Sequence, residues 1–377
     1  MLSMALRIGQ ALLLHQSAPP FPVSPFEQEM RRRLWHAIGL LDVQVAIERV
    51  SEPMMQASWL QSHPPSNVND SDISFGMEEP AQESDGFTEM SFTLMLWKSQ
   101  CIVRSLNFSD FMEPSVKLMS LRRQLVIDFQ QTTSSLLQGS KPDSQPFHCF
   151  SRQVAECINA SMQLITIRPL QRNANFTPPL IREDGLLKLA VDVLQKVQRL
   201  RSDPKTSPCC WVEFIFVPWH ALAVAIAEFC VCQNAPLMES VWPSIEQGYS
   251  RFQAFAAGSQ QGMLREPMEK LIVQARTRRE QLLKHPASVL TLSSNSQPEY
   301  ASISPSFSSV LQGPQTEVPL PVPMPDTAND LETLPNVWDV MDFGTTGLDN
   351  TYGTSWLNYE NFIDDLYENA DYMWIPR

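Results

Sequence analysis

The chain has 377 residues, of which 43% are hydrophobic, enough for one domain-sized core with additional segments. Its formal net charge is −13, but the chain from residue 286 onward holds thirteen acidic residues and one basic residue, Arg377. The first 285 residues are therefore close to neutral. Such a body lacks the Lys- and Arg-rich surface with which proteins bind phosphates, so we expect the chain as given to bind DNA poorly.

Nine segments have the apolar periodicity of α-helices, and Pro, Ser, Asn and Asp are frequent in the loops between them. No segment shows the alternating pattern of a half-buried strand. The pattern predicts an all-α protein of many packed helices, with a solenoid-like arrangement as one option, although no fixed repeat period is present. The predicted helices span residues 3–16, 25–50, 87–108, 115–138, 147–168, 183–201, 211–233, 236–257 and 261–284.

The second of these helices has the clearest local signals. Ser24 is suited to cap its N-terminus, Pro25 to occupy the first helical position, and Glu27 to complete a capping box. Two ion pairs are predicted at the stabilising i, i+4 spacing, namely Glu27–Arg31 and Glu29–Arg33. An apolar stripe is predicted to pack on the rest of the domain, and it consists of Met30, Leu34, Ile38, Leu41 and Val45.

The longest apolar run of the chain is 212–232. Glu213, Pro218, His220 and Glu228 interrupt it. Since a charged residue at the centre of a bilayer costs about 2.5–3.5 kcal/mol, we expect a buried helix of the domain and no membrane span. Within this run we expect His220 to be a hydrogen-bonded core residue.

The composition changes after residue 285. Residues 286–325 are rich in Ser and Pro without Lys or Arg, which predicts a disordered linker. Residues 326–377 interleave aromatic and acidic residues, a composition typical of transcription activation segments. We expect this segment to contact a groove of a coactivator or mediator-type protein through Trp356, Tyr359, Phe362, Ile363, Leu366 and Tyr367. The alternative is that it docks on the body as one more helix.

Four segments in the first 285 residues carry recognisable motifs. They are ALRIGQALLLHQS at 5–17, a signature in the second helix, PPSNVNDSDI at 64–73 followed by GFTEMSFTLM at 86–95, and PWHALAVAIAEFC at 218–230 with its Trp219 and His220. The signature consists of Glu29, Arg31, Arg32, Arg33, Leu34, Trp35 and Asp42. In this order, the segments resemble the middle homology region of fungal zinc-cluster transcription factors. One departure is Leu13, which stands where that family usually has Gly.

The resemblance implies a nuclear transcription regulator whose helical regulatory domain covers residues 1–285. In that family a zinc cluster of six cysteines contacts DNA, whereas the seven cysteines here include no Cys-x-x-Cys pair. We therefore expect no metal or cofactor in this chain, and zinc only in a missing N-terminal cluster. DNA would be bound through that cluster or through the cluster of a homo- or hetero-oligomeric partner. The chain is interpreted either as a truncated product or as a natural short form.

Two other functions stay open. One is a scaffold or inhibitory partner of other transcription factors that does not itself bind DNA. The other is an all-α, magnesium-dependent enzyme, because Asp364, Asp365 and Glu368 resemble the Asp-rich motif of isoprenoid synthases. No Gly-rich phosphate loop or nucleophile motif is present, so we predict no catalytic residue and no enzyme. The arginine runs at 31–33 and 276–279 are interpreted as solvated helix faces.

Overall fold

The computed structural model describes most of the body of the chain and one helix near its C-terminus. The described residues are 1–49, 51–60, 63–107, 116–170, 176, 179, 181, 184–209, 218–258, 262–284 and 357–366. Within them the chain forms ten α-helices and no β-sheet, which confirms the all-α prediction. The predicted linker at 286–325 lies outside the described residues.

The first nine helices correspond to the nine predicted segments, and the tenth lies in the acidic C-terminal segment. They are α1 (Leu2–Ala11), α2 (Pro25–Arg49), α3 (Ser91–Asn107), α4 (Met119–Leu136), α5 (Pro146–Ile167), α6 (Gly185–Ser202), α7 (Trp219–Val231), α8 (Ala235–Gly258), α9 (Gly262–Lys284) and α10 (357–366). Each of α1 to α9 packs on its neighbours in sequence, and α3–α5, α6–α8 and α7–α9 are further packed pairs. A solenoid-like arrangement stays a prediction.

Helix α7 is the central helix of the core. Every residue from Trp219 to Ala227 is buried, as is Phe229, and α6, α8 and α9 pack around it. A helix that is apolar on all sides is stable only when it is surrounded, which is why this Ala-rich segment lies inside. In the part of the chain that the structure describes, no helix has the length and hydrophobicity needed to cross a membrane.

The local signals at the start of α2 are mostly confirmed. The Ser24 hydroxyl accepts a hydrogen bond from the backbone N–H of Glu27 at 3.2 Å, as a helix cap does. Both predicted ion pairs form: the carboxylate of Glu27 lies 3.7 Å from Arg31, and that of Glu29 lies 2.9 Å from Arg33. Sequence spacing alone was sufficient for these contacts because both partners lie on one helix.

The apolar stripe predicted along α2 is wrong in most positions. Met30, Leu34 and Leu41 are 42%, 52% and 51% exposed, whereas Ile38 is buried as expected. The reason is that the segment after α2 folds across this helix and offers backbone partners to polar side chains. The buried face consequently combines apolar with polar residues, namely Glu29, Trp35, His36, Ile38, Gly39, Asp42, Val43 and Ala46.

Helix α1 ends in a left-handed residue, Leu13, with φ of +55°. The N–H of Leu13 donates to the carbonyl of Gln10, and the N–H of Leu14 donates to that of Gly9, both at 2.9 Å, which is the hydrogen-bond pattern of a Schellman motif. Glycine adopts this conformation without a steric cost, whereas a residue with a Cβ loses about 1 kcal/mol. The structure thus gives a physical reason why glycine would be favoured over leucine at position 13.

Candidate functional site

The signature carboxylate Glu29 fastens the following loop to α2. It is buried, lies 2.9 Å from Arg33 and 3.5 Å from Arg32, and accepts the backbone N–H of Ser66 at 3.2 Å. Arg33 also reaches Asp70 in the loop, at 2.6 Å. The Glu29 carboxylate is therefore fully engaged by residues of α2 and of the loop, and it holds that loop in position.

The second signature carboxylate, Asp42, forms the most deeply buried charge network of the described residues. Its two oxygens accept the N–H groups of Met54 and Met55 at 2.9 Å, and Arg104 of α3 donates to it at 3.0 Å. The guanidinium of Arg104 also donates to the carbonyls of Met55 and Gly39. No sequence pattern indicated Arg104, because it lies 62 residues from Asp42 and no spacing links the two.

The other signature residues have unequal roles. The buried Trp35 donates its indole N–H to the carbonyl of Trp59 at 2.8 Å, and Arg31 donates to the carbonyl of Leu12 at 2.6 Å, which ties α2 to the end of α1. Leu34 is largely exposed and has no such role. The signature residues thus connect α2 to α1, to α3 and to the loop between α2 and α3. Their role is to hold these elements of the fold together.

The loop between α2 and α3 is organised around Asn67. Its side-chain amide donates to the carbonyls of Ser84 at 2.6 Å and Gly86 at 2.9 Å. Its side-chain oxygen accepts the hydroxyls of Thr88 at 2.7 Å and Ser91 at 3.0 Å. This single side chain closes the polar 67–86 segment into a loop, because its donor and its acceptor groups all bind residues at the far end of that segment and at the start of α3.

Helix α10 is docked on the body, as the alternative interpretation of the C-terminal segment proposes. Four of the six residues expected to contact a coactivator are at most 3% exposed and belong to the main core: Tyr359, Phe362, Ile363 and Leu366. The other two, Trp356 and Tyr367, lie outside the described residues. In this arrangement the four side chains are not accessible to a partner.

The docking surface is formed by the N-terminal end of α7 and the segment after α5. The ring of Phe362 lies 6.3 Å from that of Trp219, and the ring of Tyr359 lies 5.9 Å from that of His220 in an edge-on orientation. The hydroxyl of Tyr359 is buried and donates to the carbonyl of Pro169 at 2.9 Å. Trp219 and His220, from the motif at 218–230, therefore both contact the C-terminal helix.

His220 has the role that its sequence context predicts. It is buried, its Nε2 lies 2.8 Å from the carbonyl oxygen of Arg168, and the Arg168 guanidinium lies 3.4 Å from Glu228. Burial away from water lowers the pKa of His220 to about 3. The imidazole is thus neutral at physiological pH and acts as a core residue.

The remaining candidates are also accounted for by structural contacts. Arg276 pairs with Glu246 at 3.0 Å and Arg279 with Glu239 at 2.9 Å, so this arginine run joins α9 to α8 on the surface. Asp365, from the Asp-rich motif, lies 3.3 Å from the ammonium of Lys270. Among the described residues no group of three His, Cys, Asp or Glu side chains could hold a metal ion.

The chain is similar in sequence to fungal proteins named as transcription factors. It is 35% identical over 265 residues to the C6 finger domain transcription factor nscR of Trichophyton verrucosum, which is 69% of this chain and 39% of that protein. It is 31% identical over 295 residues to the protein of the same name from Aspergillus fumigatus, covering 75% of the chain and 37% of the relative. These proteins are homologues of the chain, which spans less than two fifths of their length.

A third relative has a different particular name. The C6 finger domain transcription factor adaR of Aspergillus niger is 29% identical over 306 residues, or 73% of this chain and 38% of the relative. No model of a protein family matches the chain, and no solved structure matches it. The middle homology domain therefore stays a prediction, whereas the relationship to named C6 finger transcription factors is shown by the sequence identity.

Proposed function

We propose that this protein is a nuclear transcription regulator of the fungal zinc-cluster class in which the helical body restrains an acidic activation segment. The homologues support a role in transcription regulation, since all three relatives described above are named C6 finger domain transcription factors. Recognition of DNA would depend on a zinc cluster outside this sequence or on that of a partner. The body at 1–285 would act as the regulatory part.

The main support for this restraint is that the side of α10 expected to contact a coactivator is buried in the body. A coactivator groove would have to accept Tyr359, Phe362, Ile363 and Leu366, and the core of the body already holds all four. One side chain cannot fill both surfaces at once, so docking and activation exclude each other. Release of α10 would then be the step at which the regulator becomes active.

A reporter experiment tests this function. Residues 286–377 and the whole chain are each fused to a heterologous DNA-binding domain, and the same reporter gene is measured for both fusions. We expect strong activation by the C-terminal segment alone and weaker activation by the whole chain. Replacing Phe362 and Leu366 with Ala in the short fusion should abolish activation, because both are expected in the coactivator contact. Equal activity of the original and replaced segments would refute that contact.

A single-atom change separates docking from activation. Tyr359→Phe removes the buried hydroxyl that donates to Pro169 but keeps the aromatic ring. Loss of this hydrogen bond weakens docking by about 0.5–1.5 kcal/mol, with a further cost for the carbonyl left without its donor. We expect the whole-chain fusion to become more active relative to the short fusion that carries the same substitution, because only the whole chain has the docked state to lose. Asn361→Ala, an exposed position on the same helix, is the matched control.

The second candidate function is a scaffold or inhibitory partner, and the same burial of α10 favours it. If the C-terminal segment only completes the core, both fusions are silent and Tyr359→Phe has no effect on the reporter. The enzyme alternative predicts magnesium-dependent turnover that Asp364→Asn abolishes. We do not favour it, because the homologues are named transcription factors and Asp365 is engaged with Lys270.

A further inference from the structure

A cavity of about 90 Å³ lies in the body beside the N-terminal end of α7. Helices α2, α3, α5, α6 and α7 all contribute to its walls. Its lining includes Trp219 and His220, the two residues that also contact α10, and Leu170, which follows the Pro169 carbonyl that binds Tyr359. The cavity and the docked helix therefore share one wall.

The chemistry of the lining selects for an uncharged occupant. Most of the described lining residues are apolar, and none is an acid, a lysine or an arginine. The hydroxyls of Ser99 and Ser161 line the cavity but already donate to the carbonyls of Leu96 and Cys157, each at 2.8 Å. A charged molecule would lose its hydration here without gaining a counter-ion, and this is strongly unfavourable.

Trp219, one of the lining residues, carries a buried donor without an acceptor. The indole N–H of Trp219 is buried and has no hydrogen-bond partner among the described residues. Buried donors in folded proteins nearly always have a partner, from the protein, from water or from a ligand. An occupant with one hydrogen-bond acceptor would satisfy this group, and its apolar part would contact side chains such as Val103 and Met162.

We propose that this cavity binds a small uncharged molecule with an apolar ring or chain and one hydrogen-bond acceptor, and that the bound molecule stabilises the docked position of α10. The volume sets an upper limit of about six heavy atoms, since an engineered cavity of about 150 Å³ accommodates benzene and this one is smaller but partly open to the surface. A molecule that fits between the existing walls leaves Trp219 and His220 where α10 needs them. Because the docked helix holds these two wall residues in place, the molecule binds the docked state more tightly than the released state, and linkage then requires that occupancy and docking favour each other.

Three probes of matched size test the binding site on the purified whole chain. Cyclopentanone has the apolar ring and the acceptor, methylcyclopentane has the ring without the acceptor, and cyclopentylammonium carries a charge. We expect millimolar binding of cyclopentanone, observed as a shift of the Trp219 indole N–H resonance. Binding of methylcyclopentane should be about five- to tenfold weaker, the size of one neutral hydrogen bond. Cyclopentylammonium should not bind.

Two substitutions locate the binding. Ser161→Leu adds volume inside the cavity and should abolish cyclopentanone binding. Trp219→Phe removes the indole donor while keeping an aromatic ring, so the preference for cyclopentanone over methylcyclopentane should disappear even if overall stability falls. Trp242→Phe, at a tryptophan that does not line the cavity, is the matched control and should leave this preference unchanged. Cyclopentanone binding that persists in Ser161→Leu would overturn the assignment of the site.

The link to docking has its own readout. Hydrogen exchange at the amides of 357–366 should slow when cyclopentanone is bound, and should be unaffected by cyclopentylammonium. Binding without a change in exchange would refute the coupling. This inference rests on the docked helix and not on activation by the C-terminal segment. A silent reporter would therefore refute the proposed activation alone, whereas absence of cyclopentanone binding would refute the cavity alone.

Discussion

The position of α10 depends on a few large side chains, which makes Phe362→Ala an incisive test of docking. Phe362 is buried against the ring of Trp219 and lies 6.4 Å, centroid to centroid, from the ring of Tyr359. Truncating a buried phenylalanine to alanine costs about 3–5 kcal/mol. If this cost falls on docking alone, the ratio of docked to released helix decreases roughly a hundred- to several-thousandfold. A ten-residue helix has few other contacts with which to compensate.

Hydrogen exchange and thermal unfolding of the whole chain measure this effect. We expect the amides of 357–366 to lose their protection in Phe362→Ala while those of α7 keep theirs, because the body retains its own core. Leu357→Ala, at a residue that is 53% exposed on the same helix, should leave protection unchanged. Equal protection of 357–366 in the original chain and in Phe362→Ala would show that the helix does not depend on this contact, and would refute the docking argument.

Three further predictions concern stability and are measured by chemical or thermal unfolding. Leu13→Gly should stabilise the chain by about 0.5–1 kcal/mol, because glycine removes the strain of a positive φ, whereas Leu12→Gly, at φ of −79°, should destabilise it. Asp42→Asn should cost about 3–5 kcal/mol, because Arg104 would stay buried without its counter-charge; a cost below 1 kcal/mol would contradict the buried network. His220 should contribute to the pH dependence of stability, since its folded pKa of about 3 lies below its ordinary value of 6.5. Its contribution of about 5 kcal/mol is complete above pH 6.5 and is lost as the pH falls toward 3, so His220→Gln should show a shallower pH dependence in that range.

Local sequence signals were reliable wherever both partners of an interaction lie on one element. The helical periodicity identified the nine helices of the body, the Ser24 cap and the Glu27–Arg31 pair all formed, and the central apolar run became the buried α7. The alternative that the C-terminal segment forms one more docked helix also agrees with α10. These results follow because helix geometry fixes which residues share a face, independently of the rest of the chain.

The tertiary structure decided which of those faces are buried and against what. Met30, Leu34 and Leu41 are exposed, although they form an apolar stripe, because the loop after α2 provides backbone groups that bury Glu29 and Asp42 instead. Hydrophobic spacing contains no information about these distant partners. The docking of α10 is the extreme case, since the hydrogen bond from Tyr359 to Pro169 joins residues 190 positions apart. The sequence by itself determined the helices of the body, while only the packing of distant elements decided that the C-terminal helix is held in the core.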